Sequence, residues 1–484
     1  MSVGRNTFYN LASSIAPMAV GLITVPAYLH LIGVSKYGVL TLVWLFLGYF
    51  GVFDPGLSRA TTYHIARLKT EPKAERQAIF WTAISINSGF GVLGGIILLF
   101  VAPPVFIHLL KMPENMRSEV ARSIPWLAAA IPVGTIASVL LGTLDGLSEF
   151  ALANTVGFLG TLAFQLIPLG VAVWLSKDLS VIISATVLAR LGMALVFFAF
   201  AWARCEAGRP RLATRKAVKE LFSYGSWITV SNLIIPFLGT LDKFLIGSYL
   251  NVANVTVYTI PDNLTRRCSI IPGALSRTLF PRFASDPARS NLLFRSFQSL
   301  LAVMTPITVI FILGLHLFLR LWVGGPLANG ATPIGIVLML GIFLNSLAYL
   351  PCMFLQATGR PGLNARFHLI EILPHIVCLV LGIYYLKLMG VALAMLLVSA
   401  LDAFLLFRAA ELRIWKLREF HIALAFITAS VMMVVALGTG RWPTYILYAL
   451  LALCCVIVCV GRSPDLRRRL YSSLLKSSVL GAKT

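Results

Sequence analysis

Residues 296–322 read SFQSLLAVMTPITVIFILGLHLFLRLW, and this whole stretch contains one charged side chain, Arg320. A hydrocarbon core of ~30 Å requires a helix of about 20 apolar residues, so the stretch is long enough to cross a bilayer. It is one of many such runs, because the 484 residues are 58% hydrophobic and only 12% charged. A soluble domain has about 25% charged residues. The composition therefore predicts a polytopic membrane protein.

The positions of the apolar runs predict an all-α integral membrane protein with about fourteen transmembrane helices. No connection between runs exceeds about 17 residues, which is too short for an independent domain. We expect the spans at approximately residues 7–32, 37–64, 78–108, 124–144, 151–176, 179–203, 221–247, 254–281, 296–322, 332–357, 365–386, 390–410, 420–438 and 442–461.

The net charge of +22 reflects the placement of basic residues in alternate loops. Most of the 40 Lys and Arg residues fall on one side of the predicted spans, in segments such as 204–219, 408–418 and 467–469. Because basic loops resist translocation, this asymmetry predicts that both termini are cytoplasmic. The basic excess then faces anionic lipid head groups, and a nucleic-acid partner is not expected.

The sequence predicts no enzyme, no cofactor and no metal site. The seven cysteines lie in apolar runs or in a basic loop, without the spacing of zinc ligands. His368, Glu371 and His375 fall on one helical face, but the sequence indicates no further strong ligand beside them. A membrane glycosyltransferase or ligase needs catalytic carboxylates on a substantial loop, and no such loop is present.

The chain contains an internal repeat. FYNLASSIAP around Tyr9 is similar to SYGSWITVSNLIIP around Tyr224, and six predicted spans separate the copies. Parallel repeats of this kind place a substrate site near the midplane of the membrane. Chance similarity of helix–loop junctions is the alternative. The predicted organisation is an N-lobe at 1–203, a basic cytoplasmic linker at 204–220, a C-lobe at 221–410, a last helix pair at 420–461 and a basic cytoplasmic tail at 462–484.

Four segments together resemble one known family. They are NTFYNLASSIAPMAVGLITVPAYLHLIGVSKYGVLTL (6–42), FDPGLSRATTYHIA (53–66), LDKFLIGSYLNVANVTVYTIPDNL (241–264) and LQATGRPGLNARF (355–367). They resemble the polysaccharide exporters, the Wzx-type oligosaccharide flippases, of the multidrug/oligosaccharidyl-lipid/polysaccharide exporter (MOP) superfamily. The resemblance extends in order along nearly the whole chain.

The resemblance implies two pseudo-symmetric six-helix lobes around a central cavity that opens alternately to each side of the bacterial inner membrane. The implied cargo is an oligosaccharide on undecaprenyl diphosphate, moved to the periplasmic leaflet for O-antigen, capsule or exopolysaccharide assembly. Membrane lipids and the polysaccharide polymerase or export machinery are the implied partners. The alternative within the superfamily is a multidrug or organic-cation antiporter, which should have acidic and aromatic residues in its cavity.

Basic side chains within the spans are the candidate substrate-binding residues, because a cation in a water-filled cavity lowers the cost of moving a diphosphate through hydrocarbon. Arg266 and Arg267 lie deepest, about twelve residues or ~18 Å into their span. The planar guanidinium can bind two phosphate oxygens at once. The alternative is that Asp262, one turn earlier, neutralises Arg266. The six candidates are Arg59, Arg190, Lys243, Arg266, Arg267 and Arg277.

The other four cations each have a competing interpretation. Arg59 can extend to the lipid head groups from the end of its span. Arg190 has no evident partner in sequence, and Lys243 can form a local ion pair with Asp242. Arg277 lies close enough to the inner surface for topology alone to explain it.

Acidic residues within the spans are the candidates for Na⁺ or H⁺ coupling, since a carboxylate can link cation binding to conformational state. Glu371 and Asp402 are predicted at similar depth on the hairpin of spans eleven and twelve, so they could share a cation or a proton. The alternative is that each pairs with a donor on a neighbouring helix. The four candidates are Asp54, Asp242, Glu371 and Asp402.

Overall fold

The computed structural model describes residues 3–48, 57–68, 72–209, 218, 239–285, 289–438 and 442–462, with side chains from residue 20 onward in the first helix. Every regular element in these ranges is helical. Nine of the described helices are long and apolar enough to cross a membrane. The all-α membrane class is therefore confirmed, whereas the count of fourteen spans stays a prediction.

The chain divides into two compact units, which we call the first unit (Met1–Thr256) and the second unit (Val257–Thr484). The first unit contains α1 (Val3–Gly48), α2 (Leu57–Arg67), α3 (Lys73–Ala102), α4 (Glu114–Gly146), α5 (Phe150–Trp174) and α6 (Leu179–Cys205). The division falls within α7 (Val252–Arg267). The second unit continues with α8 (Ile270–Ser285), α9 (Arg289–Val323), α10 (Gly325–Ala357), α11 (Pro361–Ala409), α12 (Arg418–Leu437) and α13 (Trp442–Arg462).

The chain reverses direction inside α1 at Gly33. Gly33 has φ 78°, a left-handed value that glycine adopts without steric cost. The rings of Tyr28 and Trp44, on either side of it, have centroids 5.3 Å apart. A straight helix would separate these two residues by about 24 Å. Helix α1 is therefore two antiparallel helices, divided where the sequence predicts the end of the first span.

Helices α3 and α4 pack through small and polar residues. A Cβ atom on Gly91 would lie 2.5 Å from Pro132 Cα, so only glycine permits this approach. Asn87 Nδ2 donates to the Thr135 carbonyl, and Thr135 Oγ1 donates to the Asn87 carbonyl, both at 3.0 Å. Close backbones joined by interhelical hydrogen bonds are typical of helix packing in membranes, where the lipid gives no hydrophobic drive between helices.

A second reversal occurs inside α11 at Lys387, which has φ 52° and ψ −132°. The two arms then pack so closely that a Cβ atom on Gly390 would lie 1.8 Å from the carbonyl oxygen of Gly382. The break lies between the predicted spans 365–386 and 390–410. Because the arms are antiparallel, residues late in the second arm come back beside residues early in the first.

The last two helices pack against α9 in the second unit. Phe297 and Met304 of α9 belong to one buried cluster with Ile427 of α12 and Cys455 of α13. Tyr448 Oη donates to the Gly438 carbonyl at 2.7 Å, which joins the two helices of the pair. The helix pair predicted at 420–461 thus shares the hydrophobic core of the second unit.

Residues 239–256 belong to the first unit, although the predicted C-lobe begins at residue 221. The Lys111 amide donates to the Gly247 carbonyl at 2.9 Å. Thr256 Oγ1 donates to the Val34 carbonyl at 2.7 Å. These contacts attach residues 239–256 to α1 and to the connection between α3 and α4, and a repeat in sequence does not reveal them.

The predicted span 254–281 is two helices. Helix α7 ends at Arg267, and α8 begins at Ile270 after a turn at Cys268 and Ser269. Pro272 lies in the first turn of α8, where its missing N–H costs little, whereas in a continuous helix it would remove a hydrogen bond. The break therefore falls directly after the arginine pair.

Candidate functional site

The arginine pair lies in the last turn of α7. Arg266 Nε donates to Asp262 Oδ1 at 2.8 Å, so the local ion pair that the sequence left open is present. The Arg266 side chain is nevertheless 42% exposed, whereas that of Asp262 is 3% exposed. Arg267 is also exposed. Since Asp262 contributes a single negative charge, the three side chains carry a net positive charge at an accessible surface of the second unit.

The helix break places the arginine pair at a helix C-terminus. The amides of Cys268 and Ser269 donate to the carbonyls of Thr265 and Arg266, at 3.0 and 3.2 Å, which closes the last turn of α7. The carbonyl end of a helix has partial negative charge and favours cations in its last turn. The backbone carbonyls thus favour cationic side chains at these two positions.

Arg190 has a different environment in the first unit. Its Nη1 donates to the Leu47 carbonyl at 2.8 Å, and its guanidinium lies 4.5 Å from the centroid of the Phe164 ring. A charge-assisted hydrogen bond and a cation–π contact are both stabilising in an apolar interior. Arg190 therefore joins α6 to α1 and α5. Its predicted contact with substrate stays a prediction.

Lys243 and Asp242 form a buried pair. Lys243 Nζ lies 3.3 Å from Asp242 Oδ2, and the two side chains are 3% and 1% exposed. Asp242 Oδ1 also accepts a hydrogen bond from the Lys243 amide at 2.8 Å. The local pair expected as the alternative is thus present, and each group neutralises the other. Their predicted roles in substrate and ion binding stay predictions.

Three further candidates are placed only in part. Arg59 is exposed on α2, in agreement with either a cavity or a head-group position. Asp54 lies outside the described residues. The backbone of Arg277 lies in α8, but its side chain is outside the described part of the chain.

Glu371 and Asp402 come together across the hairpin of α11, as the sequence predicts. His368 joins them: one ligand atom from each of the three residues lies within 4.8 Å of the others. His368 Nδ1 is 3.5 Å from Glu371 Oε2. Glu371 Oε1 and Asp402 Oδ1 are buried and have no hydrogen-bond partner. We call these three residues the hairpin cluster.

The sequence predicted the two acids but did not include His368 with them. His368 and Glu371 are three residues apart on one helical face, and that spacing was visible. Asp402 follows 31 residues later, and only the reversal at Lys387 returns it to the same place. A spacing-based search for ligands finds pairs within one helix, so it missed this combination.

The described helices define a polytopic membrane protein whose two units both contain ionisable side chains within their apolar spans. The sequence profile of a family described as "Polysaccharide biosynthesis protein" matches residues 3–287, more than half of the chain. The chain therefore belongs to this family. It is 27% identical over 409 residues to the "Putative O-antigen transporter" of Shigella flexneri, an alignment that covers 84% of this chain and 97% of the relative.

Solved structures show the same fold. The lipid II flippase MurJ in an inward closed conformation has a TM-score of 0.73 at 10% identity, over 97% of this chain and 100% of MurJ. An inward-facing multidrug resistance MATE family transporter has a TM-score of 0.66 at 16% identity, over 86% of this chain and 95% of its own. The fold is thus that of the MOP superfamily, as the sequence resemblance implied.

Proposed function

We propose that this protein is a flippase that moves a polyprenyl-diphosphate-linked oligosaccharide from the cytoplasmic to the periplasmic leaflet by alternating access. The product would supply O-antigen, capsule or exopolysaccharide assembly. Family membership, the O-antigen transporter relative and the fold shared with a lipid II flippase support the proposal. No covalent chemistry is required.

The observation that carries the proposal is the exposed guanidinium pair of Arg266 and Arg267. An arginine at the centre of a bilayer costs at least ~2.5 kcal/mol, so a sequence retains it at that depth where it contacts water, a partner or a ligand. Asp262 balances one of the two charges. The remaining positive charge suits a diphosphate, whose oxygens match the planar fork of arginine.

The orientation follows from the same proposal. The positive-inside asymmetry supports an inner-membrane protein with both termini in the cytoplasm. The lipid-linked cargo would then be synthesised on the cytoplasmic face and delivered to polymerase or export machinery on the periplasmic face.

Cation coupling is part of the proposal. A membrane interior disfavours two adjacent ionised carboxylates, so Glu371 and Asp402 would hold a cation or share a proton. Of the other acids, Asp242 has a buried lysine partner, which argues for a structural role. Binding and release by the hairpin pair would bias the two states of the alternating cycle.

The second candidate is a multidrug or organic-cation antiporter, which the shared fold with a MATE transporter and the buried acids of the hairpin favour. The charge of the arginine pair discriminates between the flippase and the antiporter. A cationic drug would be repelled by Arg266 and Arg267, whereas a diphosphate would be attracted.

The test is leaflet-resolved flipping of a fluorescent polyprenyl-diphosphate oligosaccharide by the full chain in vesicles. We expect Arg266→Glu to reduce the rate at least tenfold, which corresponds to about 1.4 kcal/mol, and Arg266→Lys to reduce it less. Arg320→Glu, an exposed arginine on α9, is the matched control and should flip at the wild-type rate. Normal flipping by Arg266→Glu and by Arg267→Glu, or transport of an organic cation instead, would refute the proposal.

A further inference from the structure

We propose that His368, Glu371 and Asp402 bind one divalent transition-metal ion of the zinc class. The sequence predicts no metal site, and the proposed flippase activity does not require one. The inference depends only on the geometry of the hairpin cluster. If it is correct, the bound metal ion replaces the Na⁺ or H⁺ coupling proposed for Glu371 and Asp402, whereas the flipping activity itself stands or fails separately.

The distances in the cluster suit a single ion. Two ligands of a tetrahedral zinc ion, with bonds of about 2.0–2.2 Å, lie roughly 3.4 Å apart. His368 Nδ1 and Glu371 Oε2 are 3.5 Å apart, close to that separation without any rearrangement. The Asp402 carboxylate lies within 4.8 Å of both ligand atoms. A shift of about 1.4 Å, which a carboxylate rotamer change can supply, completes a three-ligand site.

The donor set selects the class of ion. Na⁺, Mg²⁺ and Ca²⁺ bind oxygen, whereas an imidazole nitrogen favours zinc, iron, nickel or copper ions. One nitrogen with two carboxylates is a set that zinc accepts, with a water in the fourth position. His368, which the sequence connects to Glu371 but not to Asp402, is therefore the residue that distinguishes this site from a sodium site.

Charge compensation also favours a divalent ion. In the described part of the chain neither Glu371 nor Asp402 forms an ion pair with Lys or Arg, and each has a buried oxygen without a hydrogen-bond partner. Glu371 is 8% exposed. A buried carboxylate that lacks compensation is costly. A divalent ion neutralises both charges, whereas Na⁺ leaves one of them.

The site also has a route of entry and a structural consequence. The His368 side chain is 59% exposed, so an ion can reach the cluster from the surface. Its ligands come from both arms of the hairpin, two before Lys387 and one after it. A bound ion would therefore fasten the two arms together and stabilise the hairpin.

The experiment is titration of the purified full chain, in detergent and without an affinity tag, with Zn²⁺ at pH 7.5. We expect one ion per chain from isothermal titration and a rise in Tm on saturation. His368→Gln, Glu371→Gln and Asp402→Asn should each weaken binding at least tenfold and abolish the rise in Tm. Size-exclusion profiles will show that each variant is folded.

Two controls remove the competing explanations. His421→Gln alters a histidine of α12 that bonds the Trp415 carbonyl and should leave binding unchanged. Cys455→Ser with Cys459→Ser removes two thiols 3.9 Å apart, the competing zinc ligands of α13. Co²⁺ bound to the hairpin cluster should lack a thiolate charge-transfer band.

Three outcomes overturn the proposal: no binding by the folded wild type, binding that the cysteine variant alone abolishes, or displacement of Zn²⁺ by Na⁺ at a few hundred millimolar. Normal flipping with no metal binding would refute this inference and leave the flippase intact. Metal binding without flipping would refute the proposed flippase function and leave this inference intact.

Discussion

The two units compensate the charges of the candidate residues in different ways. In the first unit, Arg190 bonds the Leu47 carbonyl and stacks on Phe164, and Lys243 pairs with Asp242 at 3.3 Å. In the second unit, the hairpin cluster retains buried oxygens without partners, and the Arg266 side chain is 42% exposed. The charges of Arg190, Lys243 and Asp242 are thus satisfied within the first unit, whereas Arg266 and the hairpin cluster of the second unit leave charge available for a ligand.

This difference separates structural from functional charges more clearly than residue type does. Arg190 and Arg266 were both candidates in the sequence, although Arg266 was placed deepest together with Arg267. The partner and the exposed fraction distinguish them. The comparison predicts that loss of Lys243 or Arg190 destabilises the first unit, whereas loss of the Asp402 charge leaves the second unit equally stable or more stable.

The largest expected effect is in the buried pair of the first unit. Lys243→Met leaves Asp242 buried without its cation, so we expect a loss of about 3–5 kcal/mol in the free energy of unfolding. Thermal unfolding in detergent measures the change. The double variant Lys243→Met with Asp242→Leu should recover most of the stability. If Lys243→Met alone is as stable as wild type, Asp242 does not depend on Lys243 for compensation of its charge.

A smaller loss is expected at Arg190. Arg190→Met removes a charge-assisted hydrogen bond to the Leu47 carbonyl and a cation–π contact, together about 2–3 kcal/mol. The same unfolding measurement applies, with Arg320→Met as the exposed control. If Arg190→Met unfolds as wild type does but loses flipping, Arg190 acts on substrate and the contrast between the units is wrong.

In the second unit, we expect the loss of a charge to increase the free energy of unfolding. Without metal, Asp402→Asn removes one of two adjacent buried carboxylates, so the free energy of unfolding should rise by about 1 kcal/mol. In the presence of EDTA, this variant should unfold at a Tm about 1–2 °C above that of wild type. A clear fall in Tm would indicate that Asp402 already has a stabilising partner.

The smallest effect concerns pH at the N-terminal end of α6. Burial raises the pKa of Asp178, but hydrogen bonds from Ser180 and the ion pair with Arg122 outweigh it, and the net pKa is below its ordinary value. The contribution to stability is therefore present above about pH 4 and is lost as the pH falls through the lowered pKa. For this exposed pair we expect less than about 1 kcal/mol. Asp178→Asn should flatten the fall in Tm between pH 5 and pH 3; an unchanged slope contradicts the assignment.

Much of the fold was predictable because it depends on local composition. The reversal at Gly33 lies between the predicted first and second spans. The reversal at Lys387 lies between the predicted eleventh and twelfth spans. The break after Arg267 was not predicted, since the effect of Pro272 depends on whether a neighbouring helix can replace its lost hydrogen bond. The boundary of the first unit was missed because contacts such as Thr256 to Val34 join residues far apart in sequence.

The sequence by itself determined that this is a membrane protein. It also indicated the approximate positions of the spans and the residues capable of binding an anion or a cation. Hydropathy and loop charge are sums over neighbouring residues, so they need no tertiary information. Only the tertiary structure decided which charges are compensated, because Arg190 finds its carbonyl 143 residues away and Asp402 meets Glu371 through a hairpin. The free energy of a buried charge depends on its nearest partners in space, and helix packing chooses them.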